Sequence, residues 1–277
     1  MLKGKKLAVV GVGKLGEALI AGLLKQGDLS ISDIAGSVGH EASIKRVRER
    51  LGIEVSVDNA AVVKGSDIVL LAVKPQNMDL VLKGISSVIT DKQLVISVAA
   101  SVTTKFVEDR LSDGVPVVRA MPNTPSVMNA GMTGLCAGMH ANEEDKQMAE
   151  AIFNCVGKTV VVDESLMDGV TALSASGPAY LYVVIESLAE AGVKLGIPRD
   201  VSTLLAAQTM YGAASMVLES KSHPALLKDT VTTPAGCTID GLMELEEGKL
   251  RVTLIKAVVK AAERARELVN TQNSAKK

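Results

Sequence analysis

The sequence predicts a doubly wound parallel α/β sheet followed by an all-helical domain. Short, continuous apolar runs recur through the first half, at residues 7–10, 34–38, 67–73, 94–99 and 115–120. Helical patterns separate them, such as the apolar-spaced stretch 15–24 and the charged stretch 41–50. Runs apolar on both faces, with helices between them, indicate parallel strands covered on both sides. The rhythm stops after about residue 163. Residues 179–195, 201–219 and 252–269 read instead as helices of 17 residues or more. Pro178, Pro198, Pro224 and Pro234 fall between them or at their starts, where proline does little harm. A chain of 277 residues also suits two domains of about 100–200 residues each. We expect them at 1–163 and 164–277.

Composition narrows the function. Hydrophobic residues make up 47% of the chain but aromatics only 2%, with no Trp, so the core is aliphatic and an aromatic cage or base-stacking platform is not expected. Basic and acidic residues number 30 and 31, a balance that argues against nucleic acid as a partner. Cys136, Cys155 and Cys237 are scattered, as are His40, His140 and His223, so neither a disulfide framework nor a metal site is expected. The start, Met1 to Lys6, is basic but lacks an apolar signal region, and no run of about 18 apolar residues is present. A cytoplasmic protein without a membrane span is the expectation. Stretches such as TLLAAQTMYGAASMVL are apolar almost all round, more than a small helical domain buries alone. Pairing with a second copy follows as the simplest remedy.

The first motif is Gly11-Val12-Gly13-Lys14-Leu15-Gly16, which matches G-x-G-x-x-G directly after a strand and at the opening of a helix. Gly11 permits the tight turn, Gly13 lets the backbone approach a pyrophosphate, and Gly16 allows close helix–strand packing. The helix start supplies free N–H groups and a favourable dipole for phosphates. These features point to a Rossmann-type dinucleotide site. The second strand ends in Ser37-Val38-Gly39-His40 with no acid to bond a ribose 2′-hydroxyl. Ser37, with His40, Lys45 or Arg46, favours NADPH over NADH. NADH stays open if Asp33 is the strand-end acid instead. Ala72-Val73-Lys74-Pro75, Ala99-Ala100 and the loop around Asn123 end later strands and so face the ligand crevice. Lys74 is equally a solvated charge, and Asn123 equally a turn residue bonding its own backbone.

Together these residues resemble pyrroline-5-carboxylate reductase over residues 7 to about 268. The likeness rests on GVGKLG, AVKP, SVAA and RAMPNTP in the first half. In the second it rests on LSASGPAY at 173–180, EAGVKLGIPRD at 190–200, AAQTMYGAASM at 206–216 and HPALLKDTVTTPAGCTIDGL at 223–242. The resemblance implies reduction of the cyclic imine 1-pyrroline-5-carboxylate to proline by NAD(P)H, the last step of proline biosynthesis. It also implies an obligate homodimer whose helical domain mediates dimerisation, with rings of dimers or a decamer of dimers as larger assemblies. The active site would lie between the cofactor of one copy and the helical domain of its partner. Ser37, Gly39 and Asn59 would meet the adenosine end of the cofactor. Glu164 and Ser176 would border the substrate, the loop at Gly236 and Cys237 would hold its carboxylate, and the Thr238 hydroxyl would contact the ring nitrogen. The chain departs from the family in Ala235, where a second glycine is usual, in Ala175, also for glycine, and in Cys237. Alanine suits a glycine site when φ there is negative.

The chemistry fits these residue types. A cyclic imine is already electrophilic, and most of the rate comes from proximity and orientation. The cofactor carries the hydride and the protein positions it. A β-hydroxyacid dehydrogenase shares the two-domain plan but uses a lysine base early in the first long helix, and PAYLYVVIE at 178–186 has none. A dinucleotide-sensing protein without turnover is the alternative from another class.

Overall fold

The computed structural model describes residues 1–274, with side chains as far as residue 269. In chain order the elements are β1 (Leu7–Val10), α1 (Lys14–Gln26), β2 (Ile34–Ser37), α2 (Ala42–Leu51), β3 (Glu54–Ser56), α3 (Asn59–Val63), β4 (Ile68–Leu71), α4 (Met78–Ile85), β5 (Leu94–Ser97), α5 (Thr104–Glu108), β6 (Val117–Met121), β7 (Gly131–Ala137), α6 (Glu143–Asn154), β8 (Gly157–Val161), α7 (Met167–Val170), α8 (Gly177–Lys194), α9 (Arg199–Ser220), α10 (Pro224–Thr230), α11 (Cys237–Glu247) and α12 (Leu250–Ser274). They form two compact units. One comprises Met1–Ser176 with the described residues from Ala261 onward, and the other comprises Gly177–Lys260.

The first unit is an eight-stranded sheet in the order β3-β2-β1-β4-β5-β6-β7-β8. The five expected strands are present: β1 has the expected bounds, β2, β4 and β5 are shorter by one to three residues, and β6 starts two residues later and ends one residue later. The sheet is parallel from β3 to β6, β7 runs antiparallel to β6, and β8 runs parallel to β7. Alternate residues of β1, β4, β5 and β6 feed two cores, as strands buried on both faces require. Leu7, Val9, Ile34, Leu70 and Ile96 pack with Leu19, Ile20, Val47 and Phe153 from α1, α2 and α6. Ala8, Val10, Val69, Leu71 and Val95 pack with Val63, Met78, Leu82 and Val107 from α3, α4 and α5. The unit extends beyond the change of rhythm at residue 163 because Met167 is fully buried in a small cluster with Met121 of β6 and Cys136 of β7.

In the second unit α8 and α9 form a hairpin. Its seam is made of small residues: a Cβ on Gly192 would lie 2.6 Å from Ser202 Oγ, and Ala189, Ser202 and Ala206 are buried. Little else is. Leu181, Tyr182, Val183, Leu204, Leu205, Tyr211, Met216 and Met243 all stand at least half exposed. By length and composition α9 is also the one helix among the described residues that is apolar enough to cross a membrane. It has no run of 18 consecutive apolar residues, because polar residues such as Gln208 and Ser215 are interspersed with apolar ones.

Candidate active site

The glycine loop is dictated by its surroundings. Gly11 turns the chain after β1 with φ +90°, a left-handed conformation that favours glycine. A Cβ there would meet Val73 Cγ1 at 2.7 Å and the Ala72 carbonyl at 3.1 Å. The N–H groups of Gly11 and Val12 donate to the Ser37 carbonyl at 3.1 and 2.7 Å, and Ala72 N–H donates to the Val10 carbonyl at 2.8 Å. The ends of β1, β2 and β4 therefore meet at one point, as expected from sequence. Gly16 lies under the loop, where a Cβ would be 3.4 Å from Val9 Cγ1. Gly13 differs from both. Its φ of −104° is open to any residue, and a Cβ there would meet nothing within 4 Å. As N-cap of α1 it has no side chain to cap the first turn, which leaves the amides from Lys14 and Leu15 onward for an anion. A pyrophosphate fits this cradle.

At the end of β2, Ser37 is buried and its Oγ accepts the Gly11 N–H at 3.3 Å, while Gly39 and His40 are exposed. Asp33 sits in the turn before β2, at the opposite end of the strand from the crevice. The Ser30 hydroxyl and N–H bond its carboxyl at 2.5 and 2.8 Å and hold it below the usual carboxylate range. Asp33 is therefore not a strand-end acid. Two of the three cations named for a 2′-phosphate are engaged elsewhere. Arg46 donates to Glu17 Oε1 at 2.6 Å, and Lys45 lies 3.9 Å from Glu49. Arg50 also pairs with Glu17, at 3.0 Å. Asn59 is the first residue of α3, whose N-cap Asp58 accepts the Ala61 N–H at 3.1 Å.

The later strand ends border the same crevice. Val73 and Pro75 are half-buried, Lys74 is exposed, and Pro75 opens a single 3₁₀ turn. Ala99 is buried and Ala100 exposed. The Asn123 side chain is already employed: Oδ1 accepts the Met132 N–H at 2.9 Å, and Nδ2 donates to the Ser174 carbonyl at 3.3 Å. It ties β7 to the π-helical turn Thr171–Ala175, which ends at Ser176. Ser176 is half-buried, and its N–H donates to the Thr171 carbonyl at 2.9 Å.

Glu164 follows β8 and is held from two sides. The Thr104 N–H and hydroxyl donate to its two carboxylate oxygens at 2.8 and 2.7 Å, and Arg119 Nη1 donates at 3.4 Å. Beside this pair the Cys136 thiol is pushed up to about 12, by burial first and then by the Glu164 charge, against the opposing effect of Arg119. Burial alone does the same to Cys155. Arg119, Thr104 and Glu17 carried no role in the sequence reading. The signal for Arg119 is a lone cation inside an otherwise apolar strand.

In the second unit Thr233 to Gly236 form a turn, with Gly236 N–H donating to the Thr233 carbonyl at 3.0 Å. Helix α11 begins at Cys237, so Thr238 lies in its first turn. Gly236 is the N-cap and has no room for a side chain, since a Cβ would lie 2.3 Å from Thr233 Oγ1. Ala235 has φ +56°, so the substitution for glycine falls at a position of positive φ and carries strain. Cys237 is exposed and Thr238 half-buried.

Residues 164–268 match the family model described as pyrroline-5-carboxylate reductase dimerisation. The chain is 45% identical over 267 residues to the pyrroline-5-carboxylate reductase of Methanosarcina acetivorans, covering 96% of this chain and 99% of that protein. The chain belongs to the pyrroline-5-carboxylate reductase family. Its fold agrees. The solved reductase of Coxiella burnetii matches with a TM-score of 0.91 at 36% identity, over 95% of this chain and 98% of that one. The Plasmodium falciparum reductase, solved with NADP bound, matches at 0.85 and 30% identity, over 96% and 99%. Residues 6–101 also match a model described as NADP oxidoreductase, coenzyme F420-dependent, which spans β1 to β5. The dimerisation match identifies the helical part of the chain as the element of homo-oligomerisation.

Proposed function

We propose that this protein reduces 1-pyrroline-5-carboxylate to L-proline with a nicotinamide cofactor, NADPH in preference to NADH, in the cytoplasm. The observation that carries the reading is the pairing of a glycine cradle open at Gly13 with the TTPAGCT loop leading into α11. Bound NADPH supplies the hydride. The amides at the start of α1 hold its pyrophosphate, and Ser37, Gly39 and Asn59 border its adenosine end. Ser37 favours NADPH by the absence of an acid beside it. Ala72 to Pro75, Ala99, Ala100 and Asn123 line the remaining path. The first-turn amides of α11, at Cys237 and Thr238, hold the substrate carboxylate. The Thr238 hydroxyl bonds the ring nitrogen and orients the imine carbon. Glu164 and Ser176 border the substrate. A partner copy completes each site, in a homodimer or in a decamer of dimers.

The test is oxidation of NADPH and of NADH by the purified protein with pyrroline-5-carboxylate, assayed in parallel. Rapid turnover, faster with NADPH, is expected. A folded oligomer that binds NADPH and turns over neither would point to a sensing role. Thr238→Ala should lower kcat with little change in the KM for NADPH; an unchanged kcat removes Thr238 from the mechanism.

A further inference from the structure

Arg119 poses a physical problem. It lies in the middle of an eight-stranded sheet, with β5 on one side and β7 on the other, and only 2% of its side chain is exposed. Among the described residues its Nε and Nη2 are buried with no hydrogen-bond partner, and its one ion pair is to Glu164, at 3.4 Å. A buried cation with unused donors costs stability, and apolar residues of similar volume often serve the fold better. Glu164, in contrast, is well supplied. It takes two hydrogen bonds from Thr104 and one from Arg119, and its side chain remains 31% exposed. The carboxylate is therefore fixed from behind and open in front. The register places this arrangement at the crevice. Arg119 is level with Ser97, the last residue of β5, just before Ala99 and Ala100.

We propose that Arg119 is a positioning residue that, together with the N–H and hydroxyl of Thr104, aims the Glu164 carboxylate at the substrate. The inference rests on the reading of Glu164 as a substrate contact. Thr104 fixes both oxygens and so sets the plane of the carboxylate. Arg119 supplies the compensating charge from the sheet. Rigid support of this kind matters because a shift of about 1 Å in a group that orients a substrate costs up to about a hundredfold in rate.

The experiment compares Arg119→Met, Arg119→Lys, Thr104→Val and Glu164→Gln, with the doubles Arg119→Met/Glu164→Gln and Thr104→Val/Glu164→Gln. For each, kcat and both KM values are measured beside the melting temperature and the oligomer mass. Thr104→Val and Arg119→Met should lower kcat/KM for the imine about ten- to a hundredfold without moving the KM for NADPH. Arg119→Lys should recover part of the loss. Each double should be no slower than Glu164→Gln alone, because residues that act through one group are not additive. Should Arg119→Met not fold, Thr104→Val carries the test. Additive losses in the doubles, or unchanged imine kinetics in Thr104→Val while Glu164→Gln is impaired, overturn the positioning role and leave the proposed reaction standing. Normal imine kinetics in Glu164→Gln overturn both this inference and the assignment of Glu164. Failure of the unaltered protein to reduce the imine is a separate result, and it overturns the function itself.

Discussion

The two units of this chain solve the problem of burial in opposite ways. In the sheet unit every residue of β1, β4, β5 and β6 is buried, and large apolar side chains such as Phe153, Leu19 and Ile20 have no exposure. In the helical unit the buried residues are Ala189, Ser202 and Ala206, while Leu204, Tyr211 and Met243 are each at least 65% exposed. The first unit has a core within one copy. The second exposes an apolar surface of the kind that a dimerisation domain presents to another copy. The same residue type therefore has a different meaning in each unit.

The largest effect expected from this contrast comes from paired leucine variants. Leu70→Ala, in β4, should destabilise the protein by about 2–5 kcal/mol, read as a lower denaturation midpoint with the oligomer mass unchanged. Leu204→Lys, on α9, should shift the mass toward the monomer and make the melting temperature depend on protein concentration. Leu80→Lys, at a position 75% exposed on α4, is the control and should do neither. An unchanged mass in Leu204→Lys would place the interface on another face. A smaller effect separates ligand from fold within the sheet unit. Gly13→Val adds a side chain where the protein has nothing to clash with, so folding and assembly should be preserved. NADPH affinity should fall at least about tenfold, or about 1.4 kcal/mol, by titration. Unchanged affinity would mean that the pyrophosphate lies elsewhere. The smallest effect belongs to the helical unit's turn. Ala235→Gly should raise stability by about 1 kcal/mol by relieving the positive φ, and a loss of stability would show that the turn tolerates alanine as it stands.

The same contrast explains what the sequence revealed. The strands at 68–71 and 94–97 are legible because burial on both faces leaves an unbroken apolar run. Glu54–Ser56 is three residues with one apolar member, and β8 is largely exposed, so neither leaves such a run. The glycine loop is legible because its needs are local: Gly11 answers to Val73 and to its own φ. The tie of Arg119 and Thr104 to Glu164 was not legible, because Glu164 is 45 and 60 residues away and nothing in either segment names the other. The α9 helix shows the limit from the other side. Its apolar surface marks a helix to be covered, and the same composition meets the length and apolarity of a membrane span. The π-helical turn before Ser176 has no sequence signature at all.

The small-residue seam between α8 and α9 also bears on how the protein comes into being. Ribosomes deliver the sheet unit first, and nearly all of it can consolidate on its own as it emerges. The hairpin that follows is zipped by Gly192 against Ser202 but still displays its leucines and tyrosines. If a second copy covers those side chains, the last step of folding is bimolecular, and its rate should rise with the concentration of the chain.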